Sequence, residues 1–358
     1  RVWVLKFPVR WMPKQVELRP IRGQQEQQGQ QCDLAVGSWV PESAKNRYNY
    51  SPDTCNFNAR ELCKKNIKHN AWNEWRWEMT GCEEWRISPE EINQCMQRTP
   101  VLFLGDSLAR NMYESLECMQ KTADPNVTVA SKYLADYFLF KNVFSGKDKV
   151  YGKSVRVDLS VPLFMDPRPQ RNGPTWRDAI MKYRVIVIVF GHHFKAPHFQ
   201  TINPMSYGGK PGSKPSVLEL YKIGVANWLK ALSQINYKGR VFWMPLTPSH
   251  FNGASWSKGG KCSTFTDPSK RPMMMSQQGT TYVDWLQALT STLAKASNPQ
   301  HAELFDVATM SDFRPDAHPG DASAFPVKKG VQDCVHWCMP GVTDTWNELL
   351  AYKMHCKE

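Results

Sequence analysis

From residue 100 onward, short runs of consecutive apolar residues alternate with stretches whose apolar positions recur at three- and four-residue spacing. Val101-Leu102-Phe103-Leu104 ends at Gly105, and residues 108–120 after it are compatible with a helix, so the pattern predicts strand, turn, helix. Residues 184–190 form an almost uninterrupted β-branched run ending at Gly191, as expected of a strand buried on both faces. Residues 241–246 and 304–307 are weaker strand candidates, and residues 217–232 and 282–296 carry helical periodicity. Such alternation predicts an α/β fold with a parallel sheet covered on both faces. Ligands of these sheets bind beyond the carboxyl ends of the strands. Gly105-Asp106-Ser107 and Gly191-His192-His193 both fall there. Residues 145–175 and 195–215 lack periodicity and are rich in Pro, Gly and Lys, which predicts long loops at the rim of the site.

Before Pro100 the texture differs. Residues 32–97 have few periodic apolar runs and are dense in Cys, Asn and Trp, so cross-links are expected to hold a minor lobe together. Trp72, Trp75, Trp77 and Trp85 crowd into it, and packing is the expected role for most of them. Residues 22–31 are polar and low in complexity, and residues 1–31 are expected to be a stem or linker.

Hydrophobic residues at 41% and charged residues at 22% describe an ordinary globular chain. A formal charge of +12 favours nearness to polyanions, but no nucleic-acid module accompanies it, so a solvated basic surface accounts for the number. Ten cysteines imply a disulfide framework made in an oxidising compartment. Asn49-Tyr50-Ser51 and Asn126-Val127-Thr128 are N-glycosylation sequons, the second the better acceptor because Pro52 follows the first. No apolar run approaches the ~20 residues of a membrane span. The chain is therefore expected to be the lumenal part of something longer, its N-terminal membrane anchor missing.

A Ser that follows a buried strand and opens a helix has its hydroxyl at the sheet edge and its N–H at a helix N-terminus. Ser107 can thus supply a nucleophile and one oxyanion donor, although Asp106 or Ser107 can equally serve only to cap the helix. The partner is distant. Asp333 and His336 lie three residues apart, a spacing that puts both on one face of a helical turn, where the carboxylate can hold the imidazole as base for Ser107. Flanking Cys334 and Cys338 would pin this terminal segment. Cys334, His336 and Cys338 also have zinc-ligand spacing, but no second ligand pair matches, and no metal site is expected. Arg110 either faces the developing oxyanion or pairs with Glu114 at i+4. His192 and His193 either line the cleft or are structural; Asn111 is given no part in the chemistry.

With Gly105-Asp106-Ser107-Leu108-Ala109-Arg110-Asn111, the terminal QDCVHWCMPGVTDTWNELL from Gln332 and the opening CDLAVGSWV from Cys32, the chain resembles the plant trichome birefringence-like family of polysaccharide O-acetyltransferases. The resemblance runs from about residue 32 to the C-terminus. It implies an SGNH-hydrolase-like three-layer α/β domain over residues 98–358, a smaller disulfide-rich lobe over residues 32–97, and a cleft between them for a glycan. It also implies Golgi type II membrane proteins that acetylate xylan, xyloglucan, mannan or pectin. Ser107, Asp333 and His336 match the catalytic positions and Arg110 an oxyanion-side residue. The implied disulfides are Cys32 with Cys82, Cys55 with Cys118, Cys63 with Cys338, and Cys262 with Cys334; Cys95 and Cys356 are left and pair by elimination. Family members commonly have Gly-His-Trp where this chain has Gly191-His192-His193, and no Asn aligns with the second oxyanion donor, for which Asn142 is the candidate. The expected partners are a polysaccharide acceptor and an acetyl donor, acetyl-CoA or an acetylated intermediate, with no bound cofactor. A polysaccharide acetyl esterase with the same triad and a non-catalytic wall-glycan-binding protein are the alternatives. The last predicts that Ser107 and His336 lie out of each other's reach.

Overall fold

A computed structural model describes residues 32–42, 48, 50, 55, 63, 74–82, 85–135, 180–191, 216–252, 260–263, 281–295, 302–320 and 332–356. Two antiparallel strands come first, β1 (Gly37–Pro41) and β2 (Trp75–Met79), with Trp39 opposite Trp77. Helix α1 (Pro89–Arg98) begins with a reciprocal cap: Ser88 accepts from the Glu91 N–H, and the Glu91 carboxylate accepts from the Ser88 N–H. Among the described residues the main sheet has five parallel strands, β3 (Val101–Gly105), β4 (Lys132–Ala135), β5 (Val185–Val189), β6 (Arg240–Trp243) and β9 (Ala302–Leu304). Their spatial order is β4-β3-β5-β6-β9. A small ladder joins β7 (Phe251–Asn252) to β8 (Lys261–Cys262).

Every residue of β3 and β5 is buried. Alternate side chains of a strand point to opposite faces, so both faces of the sheet are covered, and an α/β fold of three layers results. Helix α2 (Ser107–Ala123) packs on β3, β4 and β5 and against α1 and α6 (Val342–Lys353). Helices α3 (Val217–Gln234) and α4 (Tyr282–Leu293) pack on each other, with α4 against β9, and a short helix α5 (Ala308–Ser311) lies against α4 and β1. The strand candidates at 241–246 and 304–307 are realised as Arg240–Trp243 and Ala302–Leu304, which begin and end earlier; the Met244 and Phe305 N–H groups still donate to the Ile188 and Trp243 carbonyls of the neighbouring strands. Among the described residues no helix is long and apolar enough to cross a membrane.

Residues 32–358 form one compact unit. The stretch expected to be held mainly by cross-links contributes Trp39, Trp77, Trp85, Ile87 and Ile92 to the same core as the main sheet, and Trp75 packs against it. Trp72 lies outside the described residues. Side chains also anchor the early segment: the Trp39 indole donates to the Met310 carbonyl, Tyr48 to Glu348 and Tyr50 to Asp344. The five disulfides are Cys32–Cys82, Cys55–Cys118, Cys63–Cys338, Cys95–Cys356 and Cys262–Cys334.

Order β4-β3-β5 means that the chain leaves β3 to one side and returns on the other, so the sheet reverses direction of growth between β3 and β5. A crevice opens at such a point beyond the carboxyl ends of the two strands. Ser107 follows β3 there.

Candidate active site

The turn that presents Ser107 is built around a glycine requirement. Gly105 has φ +145, and a Cβ there would sit 1.6 Å from the Val189 carbonyl oxygen, so β3 and β5 approach as closely as they do only with glycine. The Asp106 N–H donates to that same carbonyl. Asp106 is buried and caps α2, its Oδ1 accepting from the Leu108 N–H at 3.0 Å. The Tyr133 hydroxyl lies 3.2 Å from the carbonyl oxygens of Gly105 and of Asp106. Capping thus falls to Asp106, and Ser107 is the first residue of the helix with its hydroxyl half-exposed.

His336 Nε2 lies 2.7 Å from Ser107 Oγ. His336 Nδ1 lies 2.8 Å from Asp333 Oδ2. The carboxylate only accepts, so Nδ1 carries the proton and Nε2 presents a lone pair to the Ser107 hydroxyl. Asp333 is fully buried and His336 nearly so. Burial alone would raise the Asp333 carboxyl, but the His336 charge and hydrogen bonds from His336 and Val335 outweigh it and hold the group below the usual carboxylate range.

The Asp333–His336 spacing is not realised on a helical turn. Asp333 bridges to Gly320, and its Oδ1 accepts from the N–H groups of both Val335 and His336 at 3.1 Å. A side-chain oxygen that captures the N–H groups two and three residues on folds the chain into a local turn, which brings the imidazole back to the other carboxylate oxygen. Cys334 and Cys338 on either side are bonded to Cys262 and Cys63.

Asn111 has a larger part than its sequence suggested. Buried one turn after Ser107 on α2, it accepts from the Trp337 N–H at 2.8 Å and donates to the Trp337 carbonyl at 3.3 Å. This two-bond clasp ties the helix bearing Ser107 to the segment bearing His336. The i+4 offset from Ser107 is the sequence signal that points to it. His250 and His318, which no motif singled out, lie buried behind His336, and His318 Nδ1 is 2.6 Å from the His336 carbonyl.

Arg110 is placed in an ion pair with Glu114, 3.3 Å away at i+4. Asn126 is exposed, as its sequon requires of an acceptor. Asn49, Asn142, His192 and His193 lie outside the described residues. Among the described residues no cluster of three or more His, Cys, Asp or Glu side chains has the arrangement of a metal site.

A hydroxyl, an imidazole and a carboxylate in hydrogen-bonded series at a sheet switch point are the parts of an acyl-transfer site. Over residues 164–353, more than half of the chain and including Asp333 and His336, the sequence matches the GDSL/SGNH-like acyl-esterase family found in Pmr5 and Cas1p, PC-esterase. The chain belongs to the PC-esterase family. This PC-esterase is 29% identical over 359 residues to Protein trichome birefringence-like 12 of Arabidopsis thaliana, covering 89% of this chain and 84% of that protein. It is likewise 29% identical over 372 residues to trichome birefringence-like 13 of the same plant, covering 90% and 84%. To Xyloglucan O-acetyltransferase 1 of Populus trichocarpa it is 28% identical over 358 residues, covering 89% and 80%. These matches extend well beyond the PC-esterase segment, over about nine-tenths of this chain.

Proposed function

We propose that this PC-esterase transfers acetyl groups from a donor to hydroxyls of a plant cell-wall polysaccharide, by double displacement through Ser107, His336 and Asp333. The observation that carries the proposal is the continuous series from Ser107 Oγ to His336 Nε2 at 2.7 Å and from His336 Nδ1 to Asp333 Oδ2 at 2.8 Å. His336 takes the Ser107 proton as Oγ bonds to the donor's acetyl carbon. The imidazolium then returns that proton to the leaving group as the donor bond breaks. In the second half a sugar hydroxyl gives its proton to His336 and attacks the acetyl-serine ester; Ser107 leaves and recovers the proton. Asp333 keeps Nδ1 protonated and stabilises the imidazolium in both halves. The Ser107 N–H, at the positive end of α2, faces the growing negative charge as one oxyanion donor. Arg110, one turn after Ser107 and paired with Glu114, and Asn142 are proposed as further oxyanion-side groups.

The acceptor class rests on the relatives, one of which is named for acetylating xyloglucan. The donor is acetyl-CoA or an acetylated intermediate. We place the chain in the Golgi lumen as part of a type II membrane protein with Asn126 glycosylated; the five disulfides support the oxidising compartment in that reading. The family's description as acyl-esterases favours a second reading, hydrolysis of a polysaccharide acetyl ester with water as acceptor. Incubation with an acetylated donor and a panel of cell-wall oligosaccharides, followed by mass spectrometry, separates the two. An oligosaccharide gaining one acetyl group supports transfer, and acetate release alone supports hydrolysis. Ser107→Ala should abolish either activity while the fold is retained; a folded, fully active Ser107→Ala protein sinks the mechanism.

A further inference from the structure

Behind His336 three contacts run in line through two buried imidazoles. The Asp312 carbonyl lies 3.2 Å from His250 Nε2, His250 Nδ1 lies 2.7 Å from His318 Nε2, and His318 Nδ1 lies 2.6 Å from the His336 carbonyl. Both ends of this line are carbonyl oxygens, which only accept. Two neutral imidazoles hold two N–H protons between them. If both protons serve the carbonyls, the middle contact sets two lone pairs against each other at hydrogen-bond distance. If one serves the middle, an end carbonyl faces a bare nitrogen. Three protons satisfy all three contacts.

We propose that His250 and His318 share three protons as a buried imidazole–imidazolium pair, and that this pair makes His318 a positioning residue that pins the His336 carbonyl. The surroundings fit the extra charge. Among the described residues, the charged and titratable groups that face the pair are Asp312, with a carboxylate oxygen 3.8 Å from His250 Nε2, and Asp333 and His336 on the side of His318. The Asp312 carboxylate lies on the His250 side, so the extra proton is placed on His250; burial first and then the neighbouring imidazole push His318 down to about 3. The Trp337 ring lies against both imidazoles, tilted at 4.2 Å from His318 and edge-wise at 5.9 Å from His250 between centroids, and both imidazoles are buried. The backbone is fixed to match: the His250 N–H donates to the Cys334 carbonyl and the Cys338 N–H to the Ala317 carbonyl. The His336–Trp337 peptide is therefore held by His318 on its oxygen and by Asn111 on its nitrogen.

The role rests on His336 being the general base, whereas the proton count does not, and the test separates them. The full chain labelled with 15N-histidine is observed by long-range proton–nitrogen correlation at about pH 6.5, near the ordinary histidine range. Signals are assigned by their loss in His250→Gln and His318→Asn. One ring with both nitrogens protonated and a partner with protonated Nδ1 and bare Nε2 is the expected result. Two rings with one proton each overturn the pair. In the acetyl-transfer assay His318→Leu should lower kcat about tenfold or more with KM within about twofold, because only the base is misplaced. His318→Asn, whose amide reaches the Nδ1 position, should restore most of that loss. Wild-type kcat in folded His318→Leu, or equal loss in both variants, overturns the positioning role. Labelling of Ser107 by an organophosphonate ester reads the nucleophile separately: no labelling of wild type removes the base and with it the positioning role, while a three-proton spectrum would still establish the pair.

Discussion

Asp333→Asn tests the proposed base through its tautomer. The carboxylate accepts three hydrogen bonds, from the Val335 and His336 N–H groups at Oδ1 and from the His336 imidazole at Oδ2. Asparagine keeps an oxygen for the two backbone donors but sets an N–H2 group against His336 Nδ1. That nitrogen must then become the acceptor, and the ring proton moves to Nε2, where it faces Ser107 Oγ at 2.7 Å. An imidazole in this form can donate to the serine and cannot accept its proton. Loss of the correct tautomer in a Ser-His-Asp site lowers kcat on the order of 10⁴-fold, a rise in barrier of roughly 5 kcal/mol. KM should stay within about twofold, since the buried Asp333 is not placed to meet an acceptor. Exchanging one charged acceptor for a neutral one costs about 1–3 kcal/mol of stability, which a urea titration reads independently. Acetyl transfer to an oligosaccharide, followed by mass, supplies kcat and KM. A folded Asp333→Asn protein with kcat within tenfold of the parent would refute the tautomer argument.

Asn111→Ala leaves the buried Trp337 N–H and carbonyl without the clasp, so stability should fall by about 2–4 kcal/mol and kcat by roughly tenfold or more; an unchanged urea midpoint and rate would remove Asn111 from the site's support. Asp344 is buried, accepts from Tyr50, Ser115 and the Gly341 N–H, and is pushed up from 3.8 to about 7, by burial first, its hydrogen bonds acting the other way. The native state then holds a proton that the unfolded chain releases, so stability should fall as pH rises from about 4 to about 7, by on the order of 4 kcal/mol in all. Chemical denaturation across that range should show a slope that is smaller in Asp344→Asn, and equal slopes would contradict the assignment.

What the sequence displayed was decided by local chemistry. The β-branched run at Val185–Val189 and the run at Val101–Gly105 are legible because a strand buried on both faces needs no polar alternation. Ser107 is legible for the same reason, since the strand ends at a glycine and a cap follows. The Asp333–His336 pair was legible as a pair and not as a shape. A spacing of three suits a helix, yet an aspartate can also satisfy the next two N–H groups itself, and here it does. Asn111 was legible only as a residue at i+4 from Ser107, and His250 and His318 not at all as support, because their partners lie 226, 68 and 18 residues away and each bond is to backbone or to another imidazole. Ten cysteines do not disclose their own pairing, which came from the resemblance together with elimination. The tryptophans of residues 32–97 were legible as packing residues, and Trp77 and Trp85 enter the common core with Trp75 packed against it.

The proposed base, His336, stands on neither a helix nor a strand, and this explains the support around it. Each residue of an irregular segment costs about 1–2 kcal/mol in backbone entropy to fix, and the segment from Asp333 to Cys338 has no continuous ladder to offset that. Two cross-links enclose it, Cys262–Cys334 closing a separation of 72 residues and Cys63–Cys338 one of 275. Closure of long loops restricts the unfolded chain most, by roughly 4 kcal/mol or more for each bridge in the chain-entropy account. Cross-links confine the segment without orienting it, because a bridge fixes where Cys334 and Cys338 lie and leaves the peptide between them free to turn. Orientation falls to the hydrogen bonds at Asp333, Asn111 and His318, each of which holds a different atom of the His336–Trp337 backbone or the ring itself. Confinement by disulfides and orientation by buried polar groups are thus separate tasks. The first makes the segment depend on its cross-links being oxidised, and the second sets the tautomer that the proposed chemistry of Ser107 requires.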